Sequence, residues 1–257
     1  MKVALYQSEI IWENKEKNIE RLKEVLCKVE KNPVDLVLLP EMSFTGFSMS
    51  IERTQELENE TIAQMTDLAK EYQMAIGFGW VKVGDGKAEN HYSVVDKNGN
   101  IISDYIKIHP FSYSGEDEKF VGGNSISFFS LNGHTFSTFI CYDLRFPEVF
   151  QIASKKADVI IVPANWPARR SEHWKCLLRA RAIENQVYIL AVNCVGNVGD
   201  LYYSGDSCII NPNGDILQSV SDVEQVIIEE IDNDVLVLRD AFPVKKDRRE
   251  GLYKTLW

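Results

Sequence analysis

The chain has 257 residues, 45% hydrophobic and 26% charged, with a formal net charge of −10. That length holds one large domain or two small ones and buries a sizeable core. The acidic balance argues against general binding to nucleic acid or anionic membrane, and no apolar run approaches the roughly 20 residues that a bilayer span needs.

The opening KVALYQ reads as a strand, and the start becomes charged too soon for a secretory signal. Asn14 is placed to cap a helix in which Ile19, Leu22, Val25, Leu26 and Val29 recur at helical spacing. DLVLLP is a short buried strand stopped by Pro40. A polar helix is expected over roughly 54–72, followed by the strand MAIGFGW. This alternation indicates a layered α/β domain. SVVDKNGNIISDY and SCIINPNGDILQSV each read as a hairpin, turning at Asn98-Gly99 and Asn213-Gly214. They lie 115 residues apart, as two related halves or as two unrelated hairpins. SFFS, HTFSTFI, DVIIVPA and QVYILAVNC continue the strands, and SEHWKCLLRARAIENQ between them is a helix with Trp174, Leu177, Leu178 and Ala182 on one face. No linker interrupts the chain, so one domain over 1–257 is expected. The tail 243–257 mixes basic residues with Leu252, Tyr253 and Trp257, and is either an arm packing on a dimer partner or a frayed end.

The five cysteines, Cys27, Cys141, Cys176, Cys194 and Cys208, include no CxxC pair, which argues against a disulfide framework or structural zinc and fits a reducing cytoplasm. Cys176, Cys194 and Cys208 read as packed thiols. His91, His109, His134 and His173 show no metal-ligand spacing, and the glycines of GFGW and VGGN form no nucleotide fingerprint. Cys141 stands apart. It ends an apolar strand in FSTFICYDLRFPEVF, and Pro147 suits the first turn of a following helix, whose dipole would favour a thiolate. No histidine adjoins it in sequence, so a base must come from elsewhere. Glu41 lies just past a buried strand, Lys107 ends a hairpin strand, and Glu116, Asp117 and Glu118 share a loop. Taken singly, each has an ordinary structural explanation.

Together LLPE, YIKIH and ICYDLRFPE, in that order, resemble the nitrilase superfamily of carbon–nitrogen hydrolases, and the likeness extends through NWPARRSEHWKCLLRARAIENQVYILAVNCVG to LRDAFPVKKDRRE. The resemblance implies a four-layer α-β-β-α sandwich with two mixed sheets, no cofactor, no metal, and a homodimer. It implies Cys141 as nucleophile toward an amide carbon, Glu41 as general base, and Lys107 with the Tyr142 N–H beside the oxyanion. It implies a second glutamate ordering the lysine, matched by Glu116 with Glu118 as competitor. NWPARRSEHW with CYDLRFPE looks like the omega-amidase branch, which hydrolyses 2-oxoglutaramate and 2-oxosuccinamate. That implies Arg145 as partner of the substrate carboxylate, Trp166 as an apolar wall and Arg169 or Arg170 as added positive field. Arg145 in an ion pair with Asp143 or Glu148, and Trp166 in the core, are the structural alternatives. The rival activities are aliphatic amidase, N-carbamoyl amino-acid hydrolase and deaminated-glutathione amidase; a silent binding protein on the same fold would have been expected to lose one of the three catalytic residues.

Overall fold

The computed structural model describes residues 1–256; Trp257, named above among the apolar residues of the tail, lies outside the described residues. The first sheet contains β1 (Lys2–Gln7), β2 (Leu36–Leu38), β3 (Gln55–Glu56), β4 (Ala75–Lys82), β5 (Ala88–Val95), β6 (Ile101–Ile106) and β7 (Phe120–Val121). The second contains β8 (Phe128–Leu131), β9 (His134–Thr138), β10 (Val159–Ala164), β11 (Tyr188–Asn193), β12 (Val195–Val198), β13 (Leu201–Ile210) and β14 (Ile216–Ser221). β15 (Gln225–Glu230) returns to the first sheet beside β1. The helices are α1 (Lys15–Val29), α2 (Ile51–Thr54), α3 (Glu60–Tyr72), α4 (Glu116–Lys119), α5 (Pro147–Ala153), α6 (Ser171–Asn185), α7 (Val235–Ala241) and α8 (Glu250–Leu256).

Strand alternation sorts side chains into layers. On β1, Val3 and Leu5 enter the apolar layer shared with the second sheet, while Ala4 and Tyr6 pack with Ile19, Leu22 and Leu26 of α1 and Met65 and Leu68 of α3. Across the second sheet, Phe150 of α5 and Trp174, Leu178 and Ala182 of α6 join the same core. The order is helix, sheet, sheet, helix. Both faces of each central strand are buried, which explains their near-continuous apolar runs. Asn14 caps α1 as expected, its side chain accepting from the Lys17 N–H.

The two sheets repeat one plan. β1, β2 and β4 run parallel and are continued by antiparallel β5 and β6; β9, β10 and β11 run parallel and are continued by antiparallel β13 and β14. The two Asn-Gly turns share their bonding. Asp96 Oδ1 accepts from the N–H groups of Asn98 and Asn100, and Asn211 Oδ1 from those of Asn213 and Asp215. Gly99 and Gly214 both sit at positive φ, +82° and +86°. The expectation of related halves therefore matches the topology.

One element boundary differs. The helix expected from 54 begins at Glu60. Gln55 and Glu56 instead pair in parallel with Val81 and Lys82, and the Glu56 carboxylate accepts from the Thr61 N–H, so it caps the helix from outside. Periodicity carried the pattern across a segment that an edge pairing captures.

Candidate active site

Glu41 follows β2, Lys107 follows β6, and Cys141 follows β9. All leave their sheets in the same region: Glu41 and Lys107 are in direct contact, and both charges act on the Cys141 sulfur. Lys107 Nζ donates to Glu41 Oε1 at 2.8 Å and to both Glu116 oxygens at 3.0 and 2.9 Å. Glu41, Lys107 and Glu116 are 0%, 1% and 0% exposed. Glu118, one half-turn away on α4, points to solvent. Burial penalises the Lys107 ammonium, but the Glu116 and Glu41 carboxylates outweigh that penalty and hold it above its ordinary range. Burial pushes the Glu116 carboxyl up, although Lys107 pulls the other way.

Cys141 opens a tight helical turn, Cys141–Arg145, at φ +47°, a left-handed conformation that is strained for a residue with a Cβ. Asp143 clamps this turn. Its carboxylate accepts from the Ile140 N–H at 2.9 Å, the Tyr105 hydroxyl at 2.8 Å and the His109 N–H at 2.9 Å, with His109 Nδ1 at 2.7 Å. His109 also stacks on Phe146. The Tyr142 N–H has no hydrogen-bond partner among the described residues. The helix-dipole expectation for the thiol does not hold. α5 does begin at Pro147, but burial first and the Glu41 charge second push the Cys141 thiol well up, with Lys107 opposing. That direction favours the neutral thiol at rest, so attack requires a group that takes its proton.

Cys141 lines a cavity of about 210 Å³. Phe47, Phe111 and Trp166 supply apolar wall, and Arg145, Arg169 and Arg170 bring three cations. Arg145 lies over the Trp166 ring at 4.8 Å, with its Nη2 3.2 Å from His173 Nδ1. The ion pairs considered for it with Asp143 and Glu148 are not formed among the described residues, since Asp143 is occupied by the turn. Trp166 is buried and also faces the cavity, so packing and lining coexist. Two hydrogen bonds hold it: its backbone N–H donates to Asn193 Oδ1 at 2.8 Å, and its indole N–H donates to the Arg170 carbonyl at 2.8 Å.

The chain matches the carbon-nitrogen hydrolase family over residues 2–239. The chain belongs to that family. It is 34% identical to the 2-oxoglutaramate amidase of Bacillus subtilis over 256 residues, 98% of each chain. It is 31% identical to the omega-amidase YafV of Escherichia coli K12 over 254 residues, 97% of each chain. Among solved structures, XC1258 of Xanthomonas campestris, a CN-hydrolase superfamily protein with an arsenic adduct in its active site, superposes with a TM-score of 0.91 at 29% identity, covering 96% of this chain and 97% of that one. The protein is an enzyme acting on amides.

Within this carbon–nitrogen hydrolase site, two residues escaped sequence reasoning. Asn165 follows β10, the counterpart in the repeat of the position Glu41 holds after β2; its N–H donates to Glu41 Oε2 at 3.0 Å and its side chain to the Glu41 carbonyl at 2.6 Å. Asn90 on β5 donates to Glu41 Oε1 at 2.9 Å and to Glu116 Oε1 at 3.1 Å. Asn90 lies between Glu89 and His91 at the polar start of β5, so nothing in the string set it apart. Cys194 and Cys208 are packed as expected, but Cys176 is exposed, because it falls off the Trp174–Leu178–Ala182 face of α6.

Proposed function

We propose that the enzyme hydrolyses the omega-amide of a small dicarboxylate, 2-oxoglutaramate or 2-oxosuccinamate, to the acid and ammonia. The observation that carries this reading is the group of three arginines around a cavity lined by a cysteine, in a chain that is acidic as a whole. A substrate with a carboxylate far from its amide fits that polarity, and the names of the two relatives agree with it.

Cys141 Sγ attacks the amide carbon while Glu41 takes the thiol proton. The carbonyl electron pair moves onto oxygen, where the Lys107 ammonium and the Tyr142 N–H stabilise it. Collapse breaks the C–N bond, and Glu41 returns the proton so that ammonia leaves and a thioester remains. Water then gives a proton to Glu41 as its oxygen adds to the thioester carbon. The C–S bond breaks and the proton returns to sulfur. Glu116 holds Lys107 in place and orients the substrate amide. Arg145 pairs with the distal carboxylate, and Trp166 walls the carbon chain. The scheme uses no cofactor.

Residues 1–257 act as one domain in a cytoplasmic homodimer on this reading. Free thiols at five positions support the compartment. Exposed Leu236, Val237 and Phe242 beside the tail, and Leu252 and Leu256 on α8, support a partner surface for 243–257. Ammonia release across 2-oxoglutaramate, 2-oxosuccinamate, propionamide, an N-carbamoyl amino acid and deaminated glutathione tests the substrate. The two oxo-acid amides are expected to lead in kcat/KM by about tenfold or more. A lead for the neutral amide overturns the reading. Cys141→Ala is expected to release no ammonia at an unchanged thermal midpoint, and turnover by that variant removes the nucleophile.

A further inference from the structure

The two buried carboxylates can be compared by counting the donors each oxygen receives. A carboxylate offers about four lone-pair sites, two on each oxygen. Glu116 is full: Oε1 accepts from Lys107 Nζ at 3.0 Å and Asn90 Nδ2 at 3.1 Å, and Oε2 accepts from Lys107 Nζ at 2.9 Å and from the Phe111 N–H. Glu41 Oε1 is also full, taking Lys107 Nζ at 2.8 Å and Asn90 Nδ2 at 2.9 Å. Glu41 Oε2 takes only the Asn165 N–H at 3.0 Å.

The Asn90 amide spends both of its hydrogens on this pair. Its Oδ1 is buried with no partner among the described residues. An unmet buried acceptor is unfavourable, so the donor side alone sets the orientation of the amide. The backbone fixes its position, since the Asn90 carbonyl accepts at 2.9 Å from the N–H of Lys107, just past the end of the neighbouring strand β6.

We propose that Asn90 is a positioning residue for proton transfer: by filling Oε1 of both glutamates it leaves Glu41 Oε2 as the one carboxylate oxygen free to take the Cys141 proton. The inference rests on Glu41 acting as the base, but not on the identity of the amide substrate. The titratable and charged groups around the pair are Lys107 and Cys141, with Cys194 and Tyr203 toward Glu41 and Arg170 beyond Tyr203. None of these supplies a neutral donor to both carboxylates.

The test replaces Asn90 by leucine, of similar volume with no donor, and by serine, which keeps one hydroxyl. Two pH profiles are read: kcat/KM for 2-oxoglutaramate, and the rate of iodoacetamide alkylation at Cys141 followed by peptide mass spectrometry. Removing donors from an anion favours its neutral form. In Asn90→Leu the acidic limb of both profiles is therefore expected to rise by about one to two pH units, with kcat falling more than KM changes. Asn90→Ser is expected to fall between leucine and wild type, and it carries the test if the leucine variant does not fold. Unmoved limbs, with kcat reduced only in proportion to folded protein, overturn the proposal. A shifted alkylation limb in a protein that hydrolyses no oxo-acid amide upholds Asn90 and removes the substrate assignment instead.

Discussion

Arg145→Met isolates the recognition of charge from the shape of the cavity. Methionine keeps an unbranched apolar stem over Trp166, where the guanidinium now lies 4.8 Å from the ring, and removes the cation. A charge-assisted hydrogen bond contributes about 1.5–3 kcal/mol, more than a neutral one. Arg169 and Arg170 also line the cavity and remain after the substitution, so the loss is expected in the lower part of that range. About 1.5–2 kcal/mol corresponds to roughly 10–30-fold in kcat/KM. Folding should change little, because the cation–π contact of a partly exposed arginine is worth only about 0.5–1 kcal/mol. The assay is coupled ammonia release with 2-oxoglutaramate and with a neutral amide of the same chain length. The carboxylate substrate should lose the full factor, mainly through KM, and the neutral amide no more than about threefold, a difference that cavity repacking does not produce. Equal losses on both substrates would refute the reasoning and leave Arg145 a packing residue of the Trp166 wall.

Glu116→Gln should lower kcat by about 10²-fold or more, because Lys107 loses the anion that positions it, whereas Glu118→Gln, on the exposed side of α4, should remain within about twofold of wild type; ammonia release at saturating substrate separates them. Gly79→Ala is expected to damage both stability and rate. Its Cβ would lie 2.3 Å from the Met42 nitrogen and 2.9 Å from the Glu41 carbonyl carbon, so the turn carrying the base must shift, at about 1–3 kcal/mol. Denaturant unfolding and kcat read the two effects. A fully active Gly79→Ala at wild-type stability would show that the close approach is dispensable.

That glycine illustrates how much the sequence disclosed. GFGW reads as a strand, and it is one, but nothing in the string says that Gly79 is small because Ser43 and Met42 pass against it. The Ser43 hydroxyl accepts from the Gly79 N–H at 2.8 Å, a contact across 36 positions. Helix α1 was legible because its apolar face, its cap and its length agree. The alternation of elements disclosed an α/β layering but not the two facing sheets, because central strands such as LVL are buried on both faces and show no alternation; the four-layer arrangement came from the family resemblance. Glu41, Lys107 and Cys141 were found as motifs, although 66 positions separate the first two. Spacing left Glu116 and Glu118 open, since a loop tolerates a two-residue shift. The single turn of α4 turns one inward and the other out. Asn90 was invisible in practice, because its role depends on two carboxylates arriving from other parts of the chain.

The burial of Cys141 beside Glu41 and Glu116 also bears on how the enzyme meets oxidants. Peroxide attacks thiolate sulfur, and the exposed Cys27 and Cys176 stand open to bulk solvent while the Cys141 sulfur is kept protonated behind two buried acids. Between turnovers the reactive centre is thereby spared, and its vulnerability is confined to the moments when a proton has just left it.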